Sequence, residues 1–182
     1  MASVPTVASV GLCLFLLVVG VAGEDDFNFG PERKTHLHFF FHDILAGPNA
    51  TAVVIAQGPT WNTTAGRFGQ IVMMDNPLTE GPSLSSKLIG RAQGLYATAS
   101  QEELGLLMTL NYYFTEGVYN GSTLAILGRN NILSERREMS VVGGTGYFRL
   151  AQGFAVGKTS SMNFTSGDAV VEYDVYVVHG DR

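Results

Sequence analysis

The chain has 182 residues, 46% of them hydrophobic and 15% charged, with 22 glycines, 6 prolines and a formal net charge of −5. That composition suits one ordered globular domain, and the acidic balance argues against nucleic acid or an anionic membrane as a partner. The single cysteine, Cys13, lies near the start, so the rest of the chain has no disulfide, thiol nucleophile or thiolate metal ligand.

Residues 1–23 read as a secretory signal peptide. The apolar run VGLCLFLLVVGV (10–21) falls short of the roughly 20 residues that span a bilayer, and Val21-Ala22-Gly23 supplies small residues for cleavage, although no basic n-region precedes it. EDDFNFGPERK (24–34) reads as a flexible, polar lead-in, and residues 35–182 as one domain. Four sequons, at Asn49, Asn62, Asn120 and Asn163, fit a glycosylated, secreted protein, with no membrane association once the leader is removed.

From residue 35 the chain is strand material broken by turn chemistry. Strands are expected near 35–45, 51–57, 68–75, 87–99, 104–116, 122–128, 135–142, 147–158 and 168–179. Gly47-Pro48-Asn49, Asp75-Asn76-Pro77, Asn120-Gly121 and Gly143-Gly144-Thr145-Gly146 read as turns between them, Asn120-Gly121 as a type I′ hairpin turn. TASQEELG (98–105) holds at most one turn of helix. Eight or nine short strands without a long helical period point to an all-β fold, an antiparallel barrel or sandwich, and a barrel with room for a ligand fits. Several strands are apolar on both faces, as expected where the outside of a barrel is covered in an oligomer.

HLHFFFHDIL (36–45) invites a metal reading. His36-Leu37-His38 with Asp43 approaches the first motif of the cupins, but the second half is missing: the other histidines are His42 and His179, with no Pro-x-Gly turn before the latter. No metal site is expected. Period-two alternation is more informative. It puts Leu37, Phe39, Phe41, Asp43 and Leu45 on one face and the histidines on the other. A carboxyl closing an apolar row must find a partner or carry a raised pKa, and a raised one can give a proton to a bound molecule. The plainer alternative is a structural Asp bonded to backbone at a strand end. In ERREM (135–139), Arg137 likewise shares its face with Met139 and Val141, and pairing Asp43 with Arg137 would satisfy both. Arg91, the other strand arginine, lies beside Ile89, Gln93 and Leu95. The glycines of 143–146 do not make a nucleotide loop, since Arg149 stands where the third glycine belongs.

Four stretches resemble the plant dirigent proteins: FFFHDILAGPNAT, MMDNPLTEGPSLSSKLIGRAQGLYATAS, REMSVVGGTGYFRLAQGFA and GDAVVEYDVYVVH. They occur in family order and cover about residues 35–179. The resemblance implies an eight-stranded antiparallel β-barrel with a central pocket, commonly a trimer, secreted to the apoplast. It implies no cofactor. The expected activity is stereoselective coupling of phenoxy radicals from monolignols, with a separate laccase or peroxidase as oxidant. It also implies catalytic roles for Asp43 and Arg137 and substrate contacts for Tyr96, Phe41 and Asn130. The chain departs from lignan-forming members by placing Asn130 where they carry a second acid, and by lacking their disulfide cysteines. Both departures resemble a branch that includes pterocarpan synthases, which eliminate water from an isoflavanol. There Asp43 would be the general acid on the leaving hydroxyl. A defence-related binding module is a third alternative.

Overall fold

The computed structural model describes residues 30–180, so the leader at 1–23 and most of the lead-in lie outside the described residues. Nine strands follow one another: β1 (Glu32–Asp43), β2 (Ala52–Gln57), β3 (Gln70–Thr79), β4 (Leu88–Thr98), β5 (Gly105–Phe114), β6 (Thr123–Asn131), β7 (Arg137–Thr145), β8 (Gln152–Met162) and β9 (Ala169–Gly180). All nine overlap the expected strand segments, but β3, β6 and β8 run past the expected ends at 75, 128 and 158, to Thr79, Asn131 and Met162. β1 starts at Glu32, inside the segment read as flexible, because Glu32–Lys34 pair with Val178–Gly180 of β9. Residues 98–105 end β4 and open β5 through a non-helical loop.

Every pairing is antiparallel, in the order β1-β9-β8-β7-β6-β5-β4-β3-β2, and β1 also pairs with β3. That last contact closes a ring of eight strands and leaves β2 outside it on β3. The two strands share one edge of β3: β2 takes Gln70–Met74, and β1 takes Leu78 and Thr79. Between these stretches lies Asp75-Asn76-Pro77, which is strand and not the predicted turn. Its residues pair with Gln93, Ala92 and Arg91 of β4. Proline is tolerated there because the ladder on its other side is interrupted, so its missing N–H deprives no partner.

Two other turn predictions shift. Asn120 (φ −51°, ψ 130°) and Gly121 (φ +80°) form a type II turn closed by the Ser122 amide on the Tyr119 carbonyl at 2.9 Å. Type I′ would fit a two-residue hairpin loop, whereas residues 115–122 all lie between β5 and β6. Gly143, Gly144 and Thr145 continue β7, and the turn begins at Gly146 (φ +62°). Gly144 is required by close approach, since a Cβ there would sit 2.4 Å from the Phe148 carbonyl oxygen.

The inner faces build an asymmetric interior. One end is filled by rings: Phe39 lies 5.0 Å from Tyr112, Phe114 5.5 Å from Phe148, and Tyr119 5.0 Å from Phe148. Phe39, Tyr112 and Phe148 are fully buried. The other end is lined by smaller and polar side chains, and there the barrel opens. His36 and His38 face outward, each Nε2 meeting a carboxylate of β9: Asp174 at 2.7 Å and Glu172 at 2.9 Å. Arg91 is also outside, on Asp75.

Candidate functional site

The open end holds a cavity of about 230 Å³. Its wall comes from the ends of the ring strands that point the same way, so residues distant in sequence meet there. Asp43, Arg137, Tyr96, Asn130 and Phe41, the five site residues expected from the sequence, all line it. Tyr173, Thr159 and Val171 complete much of the inner wall.

Asp43 ends β1 with its side chain inward, as alternation requires. Its Oδ1 accepts from Asn76 Nδ2 at 3.0 Å and its Oδ2 from Tyr96 Oη at 3.0 Å. Burial pushes its carboxyl above the usual carboxylate range. The bonds from Asn76 and Tyr96 pull it back in part, and the Asp168 carboxylate adds a smaller upward push. Asp168 itself is held below the usual range, first by Ser166 and then by the Leu45 amide, which donates to its Oδ1 at 2.8 Å. Burial and the neighbouring Asp43 raise the Tyr96 phenol. Burial also pushes Tyr173 up to about 12, with Arg137 pulling the other way.

The predicted Asp43–Arg137 ion pair does not form. β1 and β7 are three strands apart in the ring, and the width of the barrel separates their inner faces. Arg137, 5% exposed, donates from Nη1 to Thr159 Oγ1 at 2.8 Å and to the Ser134 carbonyl at 3.3 Å. Burial lowers its pKa from the usual value. Its Nε has no hydrogen-bond partner, and neither has Oδ1 of Asn130, which is likewise 5% exposed. A buried donor and a buried acceptor left unsatisfied on one cavity wall are costly, and that cost is recovered when a ligand hydroxyl accepts from the one and donates to the other.

Asn76, Thr159, Tyr173 and Asp168 are additions that the sequence reading does not single out. Tyr173 and Thr159 carry a signal, since alternation puts them inside with Val171 and Val175, and with Ala155 and Gly157. Asn76 carries a misleading one, as Asp-Asn-Pro is common turn chemistry. The asparagines of all four sequons are exposed.

Residues 34–178 match the family model described as dirigent-like protein. The chain is 53% identical to dirigent protein 21 of Arabidopsis thaliana over 149 residues, covering 82% of this chain and 79% of that protein. It is 54% identical to pterocarpan synthase 1 of Glycine max over 153 residues, covering 84% and 82% respectively. Among solved structures, the pterocarpan synthase dirigent protein GePTS1 superposes with a TM-score of 0.76 at 51% identity, covering 81% of this chain and 89% of that one. PsPTS1, another of that description, gives 0.76 at 52%, covering 81% and 96%. With the closed barrel and its open-ended cavity, these matches establish that the chain belongs to the dirigent-like protein family.

Proposed function

We propose that this protein is a pterocarpan synthase-like dehydratase acting on an isoflavanol-type phenol in its barrel cavity. One observation carries the reading: an acid of raised pKa and an unsatisfied Arg137–Asn130 pair stand on different walls of one apolar cavity. β1 and β6 are four strands apart in the ring in either direction, so Asp43 and Asn130 lie across the barrel from each other. A ligand spanning it can lodge a phenol on Arg137 Nε and Asn130 Oδ1 while presenting a hydroxyl to Asp43.

Proton and electron flow then balance. Asp43 gives its proton to the leaving hydroxyl, the carbon–oxygen bond breaks, and water departs with the electron pair. The phenol held by Arg137, made more acidic by the guanidinium beside it, gives up its proton to solvent at the open end of the barrel, and its oxygen donates an electron pair to become the carbonyl of a quinone methide. The oxygen of a second phenol of the same molecule then bonds to the methide carbon and closes the ring, its proton going to the Asp43 carboxylate. The carbonyl oxygen takes back the electron pair and a proton from solvent to become a phenol again. No oxidant is consumed.

Size favours this one-substrate reaction. About 230 Å³ lies below the roughly 300–1,000 Å³ usual for ligand sites, which suits one aromatic molecule better than two phenoxy radicals. The runner-up, stereoselective radical coupling with a laccase or peroxidase, rests on family membership and would have to place one radical per cavity. Purified protein is expected to convert an isoflavanol to a single pterocarpan enantiomer by chiral chromatography, and to leave laccase-driven coniferyl alcohol coupling racemic. The reverse pair of results would establish the runner-up.

We further propose a secreted, glycosylated homo-oligomer, a trimer by family. Support comes from an outward, largely apolar belt running in register from Val53 through Met73, Leu95 and Thr109 to Leu127, with Ile55 and Leu107 exposed beside it. Sedimentation should give a mass above one chain, and Leu107→Lys with Leu127→Lys should return the protein to monomer.

A further inference from the structure

We propose that Asn76 is a positioning residue: its locked amide keeps Oδ1 of Asp43 an acceptor, so Oδ2 carries the proton delivered to the ligand. The inference rests on the reading of Asp43 as the acid. Asn76 is fully buried on β3, and each of its polar atoms is engaged. Its Oδ1 accepts from Thr51 Oγ1 at 2.5 Å. One N–H goes to Asp43 Oδ1 at 3.0 Å, the other to Met74 Sδ at 3.5 Å.

The sulfur decides the orientation. A threonine hydroxyl can donate or accept, so Thr51 alone would tolerate a flipped amide. Met74 Sδ has no hydrogen to give, so a flip would face it with a carbonyl oxygen. With the amide fixed, an N–H points at Asp43 Oδ1, and a proton on that oxygen would be opposed by the neighbouring N–H. The proton is therefore directed to Oδ2. That oxygen meets Tyr96 Oη, which can accept from it and donate onward, or stand aside for the ligand. A carboxylic acid whose two oxygens were equivalent would present its proton only part of the time. Holding one face ready is the kind of preorganisation that mispositioned catalytic groups lose.

The other titratable groups around this carboxyl are Tyr96 on β4, Asp168 before β9, and Tyr173, Arg137 and Arg67 elsewhere on the wall. None of them contacts Asn76 in the hydrogen-bond network, so a change confined to Asn76 reports on Asp43.

The test is a carbon-13 carboxyl titration of Asp43, alongside the pH–rate profile, in wild type, Asn76→Leu and Thr51→Val. Because Thr51 also completes the Asn49 sequon, Thr51→Val is compared with an Asn49→Gln control. Removing the donor from the carboxylate should move the Asp43 midpoint and the alkaline limb of the profile upward together. The plateau rate should fall about tenfold or more as the proton loses its fixed oxygen. Thr51→Val should give a smaller shift of the same sign, and it decides the matter if Asn76→Leu does not fold. An unmoved midpoint in the folded variants overturns the inference, even where the rate falls. The acid reading itself fails separately, if Asp43→Asn keeps full activity.

Discussion

Asp43→Asn is expected to lower the isoflavanol dehydration rate by roughly 10²–10⁴-fold, the usual contribution of a positioned acid, without unfolding the barrel. The amide fits the same slot. Its oxygen can accept from Asn76 Nδ2, and its NH₂ can donate to Tyr96 Oη, so neither neighbour loses its bond. What disappears is the proton. The variant should also be no less stable than wild type near neutral pH, for a reason that can be signed. Burial raises the folded pKa of Asp43 above the unfolded value near 3.8. Its contribution to stability is therefore complete below that value and is lost as pH rises through the folded pKa. The substituted amide never ionises, so thermal melts across that window should fall with pH in wild type and stay flatter in the variant. Loss of turnover together with loss of stability would indicate a structural aspartate. Retained turnover would remove Asp43 from the chemistry.

The second large effect is on the fold. Phe39→Ala is expected to cost about 3–5 kcal/mol, the range for truncating a buried ring that its surroundings cannot replace. Phe39 has no exposed surface and meets three rings, Tyr112, Phe114 and Tyr173, with centroids 5.0, 6.4 and 6.1 Å away. Those neighbours sit on β5 and β9, on both sides of β1 in the ring, so their strand backbones cannot close over the gap. Tyr173 is also part of the cavity wall. Urea titration measures the stability loss, and a cost below about 1 kcal/mol would mean that the interior repacks freely. Substrate affinity should fall in the same variant, because the lost ring supports Tyr173 from behind.

Alternation carries most of what can be read from residues alone. It places Asp43 and Arg137 inside and His36 and His38 outside, and it finds the region of each strand; His42 shares the outward side of β1 with them but is buried, bonded to Thr79 Oγ1 at 2.6 Å. Phe41 lies in the same inward row. Tyr96 and Asn130 stand out only through the family resemblance, since nothing in QGLY or GRNN marks a pocket. The failures concern partners. Whether Asp43 meets Arg137 depends on how many strands separate β1 from β7 around the ring, and sequence order does not give that number. The Asn76 contact depends on two strands sharing one edge of β3, and on register shifts at Val54/Ala56 in the β2–β3 pairing and at Leu78/Thr79 in the β3–β4 pairing on the other edge. A one-residue change at either would turn the amide elsewhere. Asp75-Asn76-Pro77 looks like a turn because its local chemistry is that of a turn. Only the broken ladder beside it lets proline sit in a strand.

The pairing of β1 with β9 also sets a timetable. Twelve residue pairs join the first described strand to the last, from Glu32 with Gly180 to Asp43 with Ala169. While a ribosome is still making residues 169–180, β1 has only its two-residue contact with β3, and the β9 side of the wall beside Asp43 does not exist. Contacts so distant in sequence form slowly. A nascent chain can have most of its strands out and still expose Phe39 and Phe41 to whatever lies nearby. The acid of this protein becomes an acid of raised pKa only when the end of the barrel has arrived to bury it.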